Sequence, residues 1–388
     1  MPLLYAAFLV CLTNCHPPRS SASADGTPAR VFRITVDTTA NLPVSQLVDS
    51  FKLIPIRTPP GHSIGAIARV CIAPDHRLFI LDKTGSGIVI DVLDSTGRYL
   101  YTIDRSGGGP GHYKNISDFQ IDARSKTFGI IDPKEAKFMR FDFSGTLLEE
   151  DPLIGTPGVL NFTFLANGDI AFSRGIVPDR DNRQYSITVM SDNMKVRRRL
   201  LHYDKSSSTV LTTNYPFQSI GGKTYYLPVY RNEIDRLDSA TVEPEYRLDF
   251  GDKWITPEYA YQSSHTEDYH WVQNELPHSS FVYFVNYALT TTHLLVYYSY
   301  KRNTYLNLID RHTGEARQTR LGKDFSLLGF TAENSNVLND SIYVAYISDR
   351  SKLDHLTDKK YGPAFHPLAA DSGERNPILL FTTFKRIP

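Results

Sequence analysis

A repeat constrains this chain more than any other feature. The segment RLFILDKTGSGIVIDVLDSTGRYL begins at Arg77, and KTFGIIDPKEAKFMRFDFSGTLL begins at Lys126. Both run strand, Asp, short turn, strand, Asp-x-x-Gly, strand. Asp82 matches Asp132 at a spacing of 50 residues, and Asp94 with Gly97 matches Asp142 with Gly145 at 48. A fainter copy, HLLVYYSYKRNTYLNLIDRHTGEARQ, carries Asp310 and Gly314. The Asp-x-x-Gly tetrad has a mechanism: Asp caps a turn through its side chain, and Gly takes the left-handed position that closes the hairpin. From about residue 51 the chain is a series of short runs rich in Val, Ile, Tyr, Phe and Thr, with long amphipathic helical patterns nearly absent. A period of about 40–50 residues with roughly four strands is that of a β-propeller blade.

Counting units gives six, at 64–104, 115–150, 158–202, 215–255, 281–321 and 326–387. The run FKLIPIRT (51–58) has no hairpin partner of its own. It is expected to pair with the last blade, beside ILLFTTFKR (378–386), because an unclosed ring would expose strand edges. VFRITVD (31–37) is a further β-like run, expected as an extra edge strand. The expected architecture is therefore all-β: a six-bladed propeller over 31–388.

Ahead of it, Leu3 to Leu12 are ten consecutive apolar residues, about half the span of a hydrocarbon core and the length of an export-signal h-region. Leu12-Thr13-Asn14-Cys15 resembles a bacterial lipobox, with Asn14 where Gly, Ala or Ser is usual. That resemblance implies a signal peptide over 1–14, cleavage before Cys15 and a lipid on its sulfur. Residues 15–30, rich in Ser, Pro and Ala, fit a flexible tether. The expected location is the cell envelope, lipid-anchored, at the outer membrane. The mature chain would keep one thiol, Cys71, within the alternating strand RVCIA and expected as a buried core residue.

Composition narrows the function classes. Forty-two basic residues balance 42 acidic ones, so there is no basic field for nucleic acid. Aromatics at 12% supply a sizeable core, and no apolar run reaches 18 residues.

Several segments in order carry a resemblance: SIGAIARVCIAPDHRLFILD (63–82), SGGGPGHY (106–113), FDFSGTLL (141–148), YLNLIDRHTGEARQ (305–318) and ERNPILLFTTFK (374–385). The chain resembles the six-bladed β-propeller lipoproteins of Bacteroidota, related in fold to NHL-repeat propellers. His112 stands where the family usually has Glu, and Arg375 where it has Asp. The resemblance implies export and lipid anchoring, and no settled activity.

Gly107 to Gly111 lacks the Lys-Ser or Lys-Thr of a phosphate loop and reads as an inter-blade turn. His112 and Tyr113 beside it are candidates for a ligand-binding face. The segment 256–280 breaks the blade rhythm and holds His265, Glu267, Asp268, His270, Trp271 and His278. It follows no recognised metal-ligand spacing. It reads as a lid or partner-contacting insert, with His265, His270 and Trp271 as face candidates. Arg197-Arg198-Arg199 reads as a solvated hairpin, and 179–183 as a charged loop without the Gly and Glu of an EF-hand. No Gly-x-Ser-x-Gly occurs. No cofactor is expected. The expected function is a non-catalytic binding or scaffold module that meets a protein, peptide or glycan through one propeller face. The alternative is a metal-dependent hydrolase or lyase in the central channel, whose ligands would come from different blades.

Overall fold

The computed structural model describes residues 28–84, 87–153, 158–174, 184–203, 215–228, 231–255, 274–330, 336–338, 342–369 and 376–387. Within them the strands form six sheets. Blade one runs outward from Ile67–Ile72 through Leu78–Asp82 and Val89–Leu93 to Tyr99–Ile103. Blades two to five repeat this, with innermost strands Asp118–Asp122, Val159–Phe164, Phe217–Ile220 and Phe284–Leu289. Their own outermost strands are Leu147–Pro152, Val196–Tyr203, Val242–Asp249 and Ala316–Arg320. Each innermost strand approaches the next, and that of blade six, Asn336–Leu338, approaches that of blade one, so the ring closes.

Closure uses the N-terminal strand, as the unpartnered run suggested. Val48–Pro55 pairs antiparallel with Ile378–Phe384 as the outermost strand of blade six, with Leu53 opposite Leu380. The extra edge strand also exists. Arg30–Arg33 lies parallel to Val242–Asp249 and makes blade four five-stranded. Between these strands the chain straps the rim of blade five, where Arg320 N–H donates to Ala40 O at 3.0 Å and Leu42 N–H to Thr319 Oγ1 at 3.0 Å.

The core lies between blades, because each sheet buries both faces against its neighbours. Phe79, Phe119, Phe128, Met139 and Phe141 fill the junction of blades one and two, each stabilising by about 1.5–3 kcal/mol. The matched aspartates have distinct tasks. Asp82 accepts from the amides of Gly65 and Ala66, and Asp132 from that of Lys114, so each pins the segment entering its own blade. Asp94 accepts from Thr96 N–H and Arg98 N–H, and Asp142 does the same for Ser144 and Thr146. Blade three carries Arg174 at the first of these positions and closes its hairpin with Ser191 and Met194, the latter at φ 56°. The repeat fades there because different side chains close the same turn.

Gly97 shows why the tetrad needs its glycine. It sits at φ 84°, and a Cβ there would stand 2.4 Å from Pro55 O on the closing strand. Gly97→Val is expected to cost about 2–3 kcal/mol and lower the melting temperature. Gly87, with open space around it, is the control: Gly87→Ala should stay within about 0.5 kcal/mol. Thermal denaturation of the two variants makes the comparison.

One feature escaped sequence reading. Between the second and third strands of blade six lie a 3-10 turn, Arg350–His355, and a helix, Gly362–Ala369. The Phe51 ring meets Tyr361 edge-on at 4.7 Å and Phe365 at 5.6 Å. Tyr361 Oη donates to Asp49 O at 2.9 Å. This excursion braces the closing strand from outside. Among the described residues no helix is long and apolar enough to cross a membrane.

Candidate functional site

Antiparallel alternation puts the turns after each blade's first and third strands at one end of the ring. The connections between blades leave from the other end. A cavity of about 660 Å³ opens at the first-to-second-strand turns and is walled by the innermost strands of blades one to four. Ala123, Ala166 and Gly222 stand at its rim, and Arg69 and Tyr215 lie deep within it.

The floor is a pre-built cluster. Arg69 Nη1 donates to Asp118 Oδ1 at 2.5 Å. Asp118 also accepts from Phe119 N–H at 2.8 Å and Phe162 N–H at 2.9 Å, which joins blades one, two and three at one carboxylate. Burial pushes the Asp118 carboxyl up from the usual range, against the pull of Arg69 and the two amides. The Arg69 guanidinium stacks on the Tyr215 ring at 4.2 Å. Tyr215 enters from blade four, opposite blade one in a ring of six, and its hydroxyl donates to Ala68 O. The ring therefore crosses the channel, and its backbone adopts φ 56°, a left-handed conformation rare outside glycine. Burial raises the Tyr215 hydroxyl far above its ordinary pKa, so it stays a donor.

Cys71, expected as a buried core residue, is instead half-buried on the cavity wall. Burial pushes its thiol up to about 11, outweighing the nearby Arg69. A thiol so protonated at neutral pH is not a nucleophile. Gln218, also on the wall, joins blades four and five: its Nε2 donates to Tyr287 O at 2.9 Å, and its Oε1 accepts from Leu289 N–H at 2.7 Å. Among the described residues no three His, Cys, Asp or Glu side chains stand close enough to hold a metal ion.

The expected face residues are not at this cavity. His112 is half-buried in the connection from blade one to blade two, with Nδ1 2.9 Å from Pro110 O. Tyr113 is 1% exposed. Its hydroxyl donates to Ile88 O at 2.9 Å, and burial pushes its pKa up to about 12. The expectation that Tyr113 faces a ligand is therefore corrected: the ring packs with Ile116 and Phe119 in the core between blades one and two. Cys15, His265, His270 and Trp271 lie outside the described residues. So does the charged loop 179–183, while Arg197 lies on the outermost strand of blade three and pairs with Asp169 at 2.8 Å. The insert that holds the histidines leaves and returns at Trp254 and Val282, which form a bridge on the inter-blade-connection side.

Sequence reading missed Arg69, Asp118 and Tyr215. A signal existed for Arg69 alone, a charged residue that interrupts the apolar strand Ile67–Ile72; Asp118 merely opens the polar-rich Asp118–Asp122. Nothing local marks Tyr215, because its partners lie across the ring.

Six sheets around a channel, with the last completed by an N-terminal strand, define a six-bladed propeller with a cup at one mouth. The chain belongs to the DUF5128 family, described as a 6-bladed beta-propeller, whose model matches residues 24–343. No curated protein matches it. The chain is similar to the crystal structure of a protein described as exported, from Bacteroides fragilis, at 18% identity and a TM-score of 0.74 over 92% of this chain and 100% of that one. It is also similar to a member of the duf4221 family from Bacteroides vulgatus, at 10% identity and a TM-score of 0.58 over 87% and 97%. These likenesses concern the fold.

Proposed function

We propose that the chain is an exported, non-catalytic binding module whose ligand enters the cup at the first-to-second-strand turns. One observation carries this reading: the cavity of about 660 Å³ has a floor already assembled from three blades plus Tyr215. Its size is that of small-ligand pockets, and its floor is held by packing and hydrogen bonds, so binding needs little reordering. Ligands of this module are the polar end of a peptide or a glycan rather than a nucleic acid. Export is supported by the Leu3–Leu12 run and by the description of the Bacteroides fragilis neighbour. Anchoring is read from Cys15, with the propeller on a tether of residues 15–30 at the outer membrane.

Ser219 is exposed on the cup wall. Ser219→Trp is expected to abolish the stabilisation that a bound ligand gives while leaving the melting temperature of the free protein within about 2 °C, since exposed sites perturb folding little. A thermal-shift screen of peptides and oligosaccharides against both forms reads this out. Equal shifts in the two forms would remove the cup as the site. Cys15→Ala should eliminate incorporation of labelled fatty acid and release the protein from the membrane fraction. Label persisting in that variant would end the anchoring proposal.

A further inference from the structure

The geometry points to a carboxylate as the group the cup floor receives, held side-on by Arg69. This inference rests on the cup being the binding site. Arg69 is 7% exposed and lines the cavity. Its hydrogen bond to Asp118 uses Nη1. Neither Nε nor Nη2 bonds a protein acceptor among the described residues, apart from the weakly accepting Cys71 thiol alongside. Arg69 keeps part of its surface open, and it keeps it in the cavity lining. Tyr215 covers a face of the guanidinium and Asp118 occupies one end of it. What remains is the edge bearing Nε–H and Nη2–H, two parallel donors spaced to match the two oxygens of a carboxylate.

The surroundings agree. Asp118 is engaged by Arg69 and by two backbone amides, so its negative charge is already compensated. Lys83, half-buried, has no carboxylate within ion-pair distance among the described residues, and its ammonium feels Asp118. Lys83 lies outside the cavity lining, so the charge that the floor offers a ligand is that of Arg69. Tyr215 holds a strained left-handed backbone, and what it secures is the orientation of the Arg69 plane. Elsewhere on the wall, Gln120 and Thr163 offer neutral donors and acceptors among apolar Val70, Ile121, Phe164 and Phe217, which suits a carboxylate on a body of mixed polarity. An acidic sugar and a peptide C-terminus share that chemistry.

Calorimetric titration of the full chain with two matched pairs of probes tests the inference. One pair is trigalacturonate and neutral galactotriose. The other is N-acetyl-trialanine and its C-terminal amide. In one pair the acid is expected to bind at least tenfold more tightly than its neutral partner, and that pair identifies the source of the carboxylate. Arg69→Lys keeps the charge and loses the fork, so it should weaken the acid at least tenfold more than it weakens the neutral probe. The acid-to-neutral ratio is measured on the unaltered chain, so it stands even where that variant folds poorly. Neutral probes binding as tightly as acids, with Ser219→Trp blocking both, would overturn the carboxylate and leave the cup. Binding of no probe by the unaltered chain would overturn the carboxylate. Thermal shifts unaltered by Ser219→Trp across the wider screen would remove the cup itself.

Discussion

Asp118→Ala is expected to destabilise the folded chain by about 3–5 kcal/mol, because it strands the Arg69 guanidinium, 7% exposed, without its counter-charge. The loss extends beyond the pair. The Phe119 and Phe162 amides would lose their acceptor as well, and the latter tie joins blades two and three. The double variant Asp118→Ala/Arg69→Met should recover the part of the deficit due to the stranded charge, and the remainder belongs to the two amides. Chemical denaturation of the two single variants and the double variant gives the coupling. A cost below about 1 kcal/mol for Asp118→Ala would mean that water already solvates the pair and the floor is not rigid.

Asp235→Asn should do the opposite, in a pH-dependent way. Asp235 is 1% exposed, and neither carboxylate oxygen has a hydrogen-bond partner among the described residues. Burial raises its pKa to about 7, with Glu233 adding to the rise and Arg231, 3.7 Å away, opposing it. The unfolded chain titrates this group near 3.8. Below that value both states are protonated and the group costs nothing. As pH rises from about 4 to about 7, the unfolded state ionises freely and the folded state resists. Stability therefore falls through this window and levels off above it. About three pKa units correspond to roughly 4 kcal/mol at pH 8. The melting temperature of Asp235→Asn relative to the parent should climb between pH 4 and pH 8. A difference that stays flat over this range would show that the carboxyl ionises as easily folded as unfolded.

Much of the architecture was legible because a propeller repeats its instructions. Asp94-x-x-Gly97 and Asp142-x-x-Gly145 marked hairpins, and their spacing gave the period. The lone run at 51–58 gave the closure, with the strand in fact starting at Val48. The helix Gly362–Ala369 stayed hidden because it is short, contains Pro367 and depends on packing against Phe51 rather than on its own periodicity. The candidate site was much less legible. Tyr113 looked like a face residue because it follows an exposed glycine turn, yet tertiary packing buries it. Reading loops for aromatics and histidines favoured the inter-blade connections, while the cup lies at the opposite end, among the short first-to-second-strand turns.

By itself the sequence determined the period, the blade count and the strand that closes the ring, because these follow from local turn chemistry and from strand edges that must be covered. Only the tertiary structure decided where Arg69, Asp118 and Tyr215 meet. They come from blades one, two and four, and what joins them is a cross-channel stack and a buried ion pair, which exist once the ring has closed and leave no trace in local spacing.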